Sequence, residues 1–175
     1  MFGRCPKCGS AEVGPDGICD VCGFPAGQVN AFMLKIYLIT GAFAASVLIY
    51  GVIGYAVMSS TQTSFIAPST GRIIFGALVV VGISSVVVAY KVLPLAFKRP
   101  TPAGVLQIVL FTAALCEAPA IYGLVVGLLT RNAAWMAALI ALSLAGFVLL
   151  SRDMPAVAQR ITELVAEKPD ALDSM

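Results

Sequence analysis

The sequence predicts an all-α integral membrane protein with four transmembrane helices, preceded by a small N-terminal β zinc ribbon. Of its 175 residues, 59% are hydrophobic and 11% are charged, against ~25% charged residues in soluble chains. Two C-x-x-C pairs stand at the N-terminus. Four apolar runs follow, each long enough to cross a bilayer, which takes ~20 residues; they lie at about 31–58, 72–97, 103–130 and 133–151.

These features divide the chain into three parts. A zinc ribbon is expected at 1–26, a four-helix transmembrane domain at 27–152 and a cytoplasmic tail at 153–175. The net charge of +2 is too small to indicate a nucleic-acid partner. Because the chain has no histidine and shows no nucleophile–base pattern, we expect no catalytic residues and no enzyme activity of the chain on its own.

Four cysteines indicate a zinc site in the N-terminal part. Cys5 and Cys8 stand in CPKCG, and Cys19 and Cys22 stand in CDVCG. The short spacing lets two thiolates from one tight turn reach the same metal ion, and the glycine that follows each pair supplies the positive φ of that turn. About 30 residues cannot bury a core of their own, so zinc would hold the ribbon together, with little core shared with the helices.

The same cysteine spacing suits other chemistries. Two disulfides or a redox dithiol are one alternative, but nothing in the sequence indicates a secreted chain. Iron in a rubredoxin-like site is another, and the segment between the two pairs is short for that fold. Zinc is therefore the expected cofactor.

The first and third apolar runs share a short internal repeat. The tripeptide IYG stands at 49–51 and again at 121–123, each time within a run of small residues. Aligned on these tyrosines, Ala45 falls where Glu117 stands. A duplicated hairpin that kept one carboxyl would give this pattern, and chance in apolar sequence explains it at least as easily.

Glu117 is the only ionisable carboxyl in the apolar body of the chain. A charge in the middle of a membrane span costs at least ~2.5 kcal/mol on the mildest scales, so such residues usually face a protein interior and usually have a function. Burial favours the neutral acid until water or a partner reaches it. A group that is neutral when buried and charged when wetted suits proton carriage, although a hydrogen-bonded structural anchor is the alternative.

The surrounding string ALCEAPAIYGLVVGLL resembles the carboxylate helix of the rotor-ring proteolipid, subunit c, of the rotary ATP synthases and ATPases. The Lys98-Arg99-Pro100 segment is similar to the short polar loop of that family, and the resemblance covers about 98–129. It implies that Glu117 is the ion-carrying carboxyl and Tyr122 its hydrogen-bonding neighbour. It also implies a homo-oligomer or a place in a larger membrane complex.

The basic residues predict the orientation in the membrane. Most of them lie at or before the start of the first apolar run, at the end of the second or after the fourth: Arg4, Lys7, Lys35, Lys91, Lys98, Arg99, Arg152, Arg160 and Lys168. The opposite side has Arg72 and Arg131. The positive-inside rule therefore predicts a multi-pass protein of the cell inner membrane with both termini and the 98–102 loop in the cytoplasm. Reduced thiolates for zinc favour the same side.

The tail contains an amphipathic segment. At 154–167, one helical face carries Val157, Ile161, Leu164 and Val165. A short helix on the membrane surface or over the ribbon would suit this pattern, and a frayed tail is the alternative. We expect the last residues, PDALDSM, to be disordered.

Two functions of different classes follow from these observations. The first is a membrane subunit resembling the proton-carrying proteolipid, with Glu117 as the carrier. The second is a non-transporting membrane scaffold or accessory subunit that docks a cytoplasmic protein partner through its zinc ribbon. In the second function, Glu117 would specify helix packing.

Overall fold

The computed structural model describes residues 4–60, 65–99 and 101–167. This part of the chain contains four long helices: α1 (Ala26–Ser60), α2 (Pro68–Val92), α3 (Pro102–Thr130) and α4 (Ala133–Glu167). A short 3-10 helix, Leu93–Lys98, continues α2. All four helices are long and apolar enough to cross a membrane, as the four apolar runs predicted.

The helices differ in how far the protein encloses them. In the most apolar 18-residue stretch of α3, 44% of the residues are buried, against 11% in the corresponding stretches of α1 and α2. Helix α3 packs against all three of its neighbours. It is therefore the central helix, and side chains near its middle lie inside the bundle.

A tight turn sets α3 and α4 side by side. Arg131 ends α3 in the left-handed conformation, with φ of 57°, and its N–H donates to the Gly127 carbonyl. Asn132 then caps α4, because its Oδ1 accepts from the N–H groups of Ala134 and Trp135 at 3.1 and 3.2 Å. This side-chain cap satisfies donors that the first turn of a helix leaves unpaired.

Glycines let α3 and α4 approach closely. A Cβ atom on Gly127 would lie 2.9 Å from the Cβ of Met136, and one on Gly146 would lie 3.1 Å from the Cys116 sulfur. Membrane helices commonly pack through small residues at such positions. Lipid is as apolar as the side chains, so the hydrophobic effect does not drive the helices together and close van der Waals packing matters more. The close packing fixes the face of α3 that carries Cys116.

Helix α4 is longer than its apolar run, since it continues through Pro155 to Glu167. The predicted amphipathic segment is thus the end of α4 and not a separate helix. The four apolar residues of that segment are all buried on one face, as predicted; they are Val157, Ile161, Leu164 and Val165. The predicted disordered end, 169–175, lies outside the described residues.

Helices α1 and α4 are each longer than the apolar layer of a membrane that they could cross. Each has 35 residues and so is ~52 Å long at ~1.5 Å per residue, whereas the hydrocarbon core of a bilayer is ~30 Å thick. The first residues of α1 and the last of α4 meet at one end of the bundle. This end carries the cysteine cluster.

Candidate functional site

The sulfur atoms of Cys5, Cys8, Cys19 and Cys22 form one cluster. All four lie within 4.8 Å of one another, with 3.7 Å between Cys5 and Cys22 and 3.6 Å between Cys8 and Cys19. All five cysteines of the chain are free thiols. Around a tetrahedral ion with metal–sulfur bonds of ~2.3 Å, sulfurs stand about 3.8 Å apart. The cluster therefore has the spacing of a four-thiolate site and could hold one metal ion.

Two equivalent turns bring the cysteines together. The N–H of Gly9 donates to the Cys5 carbonyl and that of Gly23 donates to the Cys19 carbonyl, both at 2.8 Å. Both glycines have positive φ, 77° and 67°, as the sequence predicted. An isolated antiparallel bridge joins Val13 to Cys19 between the two turns.

The thiols of this cluster differ in acidity. Desolvation raises the pKa of Cys5, but N–H groups of Cys8 and Lys7 and the neighbouring thiols lower it further, to about 7. Desolvation raises the pKa of Cys22 to about 12. Four thiolates therefore do not coexist here at neutral pH without a cation, and metal binding would release protons from the cluster.

The cysteine module, residues 4–25, is joined to α1 through two glycines. The N–H of Gly27 donates to the Gly17 carbonyl at 2.7 Å. A Cβ atom on Gly27 would lie only 2.8 Å from the Cα of Gly17. The backbone of the module thus rests directly on the first turn of α1, where a side chain could not fit.

The cysteine module also shares a hydrophobic core with the helices, which differs from our expectation. Cys5, Cys19 and Phe24 are at most 3% exposed and belong to the same buried cluster as Ile36 of α1 and Ile161 of α4. The reason is the length of α4, whose last turns bring an apolar face to the module. The module is too short to bury a core of its own, and it packs into the core of the helices instead.

The second site is the Glu117 carboxyl, at the interface of α1 and α3. Its residue is 9% exposed. Oε1 accepts a hydrogen bond from the Tyr50 hydroxyl at 2.9 Å and another from the Ser46 hydroxyl. Ser46 and Tyr50 stand four residues apart on α1, so they share one helix face. The carboxyl is thereby tied to two residues of α1 that lie 71 and 67 residues away in sequence.

Ser46 can serve Glu117 in either protonation state. Its hydroxyl also lies 2.7 Å from the Phe43 carbonyl, and one hydroxyl has a single hydrogen and two lone pairs. When Glu117 is ionised, Ser46 can donate to the carboxylate. When Glu117 is neutral, Ser46 can donate to Phe43 and accept the proton of the acid.

Tyr122, which the resemblance implied as the neighbour of Glu117, is half-buried on α3. Five residues turn a regular helix by about 500°, which places Tyr122 about 140° around α3 from Glu117. The predicted role of Tyr122 stays a prediction. The sequence did not identify Ser46 and Tyr50 as partners of Glu117, although the repeated IYG tripeptide at 49–51 contains Tyr50.

Helix α4 fixes the backbone beside Glu117. The Ser143 hydroxyl donates to the carbonyl of Cys116 at 2.6 Å, and both residues are buried. Pro119 lies three residues further along α3 and has no N–H to offer to the Leu115 carbonyl, which loosens the helical ladder here. The backbone before Glu117 is thus held from α4 while its carboxyl is held from α1.

No family model, curated protein or solved structure matches this chain. The cysteine cluster and the Glu117 site are the features of the chain that bear on its function.

Replacing Cys19 with Ser should remove the metal and loosen the end of α4, because the module and α4 share a core. We expect metal analysis of the purified chain to fall from one ion per chain to a small fraction of that, with faster hydrogen exchange at 157–165. Cys116→Ser is the control, since this buried thiol lies outside the cluster. A full metal content in Cys19→Ser, or unchanged exchange at 157–165 after metal loss, would contradict the account.

Proposed function

We propose that this chain is an integral membrane protein that binds and releases a proton at Glu117, with a zinc-bound N-terminal module on the cytoplasmic side. The observation that carries the proposal is the Glu117 site itself. A buried carboxyl meets two hydroxyls of a second helix, and one of them can either donate to it or accept from it. Such a site tolerates both protonation states without leaving a buried polar group unpaired.

The resemblance to subunit c supports the same residue in the same role. It would make Glu117 the ion-carrying carboxyl of a homo-oligomer or of a larger membrane complex. Within a single chain, however, α1 encloses this carboxyl, which is 9% exposed. Proton exchange with water or with a partner subunit therefore requires α1 to move away from α3, and breaking the bonds from Ser46 and Tyr50 would be the first step.

Zinc is the metal we propose for the cysteine cluster. Four sulfurs at 3.6–3.7 Å across the two pairs suit a closed tetrahedral site, and zinc commonly occupies such all-cysteine sites. Zinc would hold the module as the small β ribbon that the sequence predicts. The ion would be structural, since all four positions are taken by protein.

Both termini are proposed to lie in the cytoplasm, with the connection between α1 and α2 on the other side, because the basic residues gather at the end of the bundle that carries the cysteine module. Reporter fusions at residue 175 and near residue 63 test this orientation in the inner membrane. We expect a cytoplasmic signal at 175 and an external one near 63. An external signal at residue 175 would contradict the proposed topology.

The cysteine module favours a second candidate function. It is packed onto α1 and α4, and it exposes two apolar side chains, Ile18 at 42% and Val21 at 60%. A rigid module with exposed apolar residues on the cytoplasmic side could dock a protein partner. In this scaffold function, Glu117 specifies the packing of α1 on α3 and carries no proton.

Substituting Glu117 with Gln separates the two functions, because Gln keeps the size and the hydrogen bonding but cannot release a proton. We expect proton flux into liposomes that contain the purified protein, driven by a potassium diffusion potential in sodium-free buffer. Glu117→Gln should reduce this flux to the level of protein-free liposomes. The matched control is Glu163→Gln, an exposed acid at the end of α4, which should leave the flux unchanged.

One result would reject proton carriage by Glu117: a Glu117→Gln flux equal to a wild-type flux that is itself above the level of protein-free liposomes. The scaffold function instead predicts that Glu117→Gln is silent and that Glu117→Leu impairs assembly, because Leu leaves the Tyr50 hydroxyl without its acceptor.

A further inference from the structure

A cleft separates the first cysteine turn from the end of α4. Its volume is about 540 Å³. Val29 and Met33 of α1 and Ala158 of α4 form an apolar wall, and Arg4, Tyr37 and Thr162 bring polar groups to it. A second hollow of about 620 Å³ continues from Pro6 and Tyr37 towards Lys7 and Glu163. We call these two hollows together the knuckle cleft.

The knuckle cleft lies where α1 and α4 leave the apolar layer. Lys35 and Arg152 mark the polar ends of the two spans. Tyr37 is 38% exposed on the same part of α1, and tyrosines are enriched at the level of lipid headgroups. Leu34 and Leu38, beside it, are exposed as well. Val29 and Ala158 lie six residues outside Lys35 and Arg152, about 9 Å at ~1.5 Å per residue, so the cleft opens at the level of the lipid headgroups.

The chemistry of the knuckle cleft is amphipathic, with a positive rim. Arg4 offers a planar guanidinium, which suits the oxygens of a phosphate. Lys7 adds a positive charge at the outer edge, with its Nζ 5.8 Å from the centre of the Phe24 ring. The acid in the outer hollow, Glu163, is paired with Arg160 at 3.4 Å, which offsets its charge. A fitting ligand has an anionic phosphate joined to an apolar chain.

We propose that the knuckle cleft binds one anionic phospholipid of the cytoplasmic leaflet. Its phosphate lies at Arg4, and the upper part of one acyl chain lies against Val29, Met33 and Ala158. This proposal rests on the proposed orientation of the chain in the membrane. The bound lipid would fill the gap between the cysteine module and α4, and so help to seat the module on the bundle.

Native mass spectrometry of the delipidated full-length protein in detergent tests this proposal, with phosphatidylglycerol or phosphatidylcholine added. We expect one phosphatidylglycerol to bind with at least roughly 10-fold higher affinity than phosphatidylcholine, because both lipids carry the phosphate but the choline cation of phosphatidylcholine is repelled by Arg4 and Lys7. Arg4→Gln should remove this preference. Ala158→Phe, which fills the apolar wall, should weaken the binding of phosphatidylglycerol by a similar factor.

Each variant has a matched control. Arg72→Gln removes a positive charge at the opposite end of the bundle, and Ala156→Phe adds the same ring to an exposed position of α4 that does not line the cleft. Both should bind phosphatidylglycerol like the wild type. Inorganic phosphate at millimolar concentration should not displace the lipid.

Equal binding of both lipids, or no effect of Ala158→Phe, would overturn the proposal and indicate general lipid contact only. Displacement by inorganic phosphate alone would also overturn it, because the site would then recognise free phosphate. The reporter fusions detect a failure of the proposed orientation, and the flux measurement a failure of proton carriage. Neither uses lipid binding as its readout, so the three failures are distinguishable.

Discussion

The structure depends on how one carboxyl is accommodated inside an apolar bundle. Leaving a buried polar group unpaired costs about 1–3 kcal/mol, and more if it is charged. Glu117 avoids this cost through the hydroxyls of Ser46 and Tyr50. Because both donors stand on α1, the carboxyl determines where α1 meets α3. The position of α1 in turn determines where the cysteine module sits, since the module rests on its first turn.

The cysteine module depends on the helices for part of its stability. Residues 4–25 are too few to bury a core, and a metal ion at four thiolates would supply one source of stability. The helices supply the other, because Cys5, Cys19 and Phe24 belong to the same buried cluster as the apolar face at the end of α4. Metal binding and the order of the α4 end should therefore be linked.

Much of the fold could be predicted because local rules decide it. Apolar runs set the four helices, and the cysteine spacing with Gly9 and Gly23 set the two turns. The sequence predicted a separate helix in the tail, but α4 continues into that segment. Pro155 does not end α4, because it lies within the first turn of the segment and the helix continues through it. The partners of Glu117 could not be read from sequence, because Ser46 and Tyr50 are brought to it by packing across 71 and 67 residues.

A double-mutant cycle between Tyr50 and Glu117 tests the central interaction most directly. Tyr50→Phe, Glu117→Leu and the double variant would be compared with the wild type by their free energies of unfolding in detergent. We expect a coupling energy of about 0.6 kcal/mol, the average for hydrogen bonds between membrane helices, and at most about 1.7 kcal/mol, the largest value found for such bonds. The same cycle with Tyr122→Phe should give a coupling near zero. Coupling of Glu117 to Tyr122 and not to Tyr50 would contradict the account.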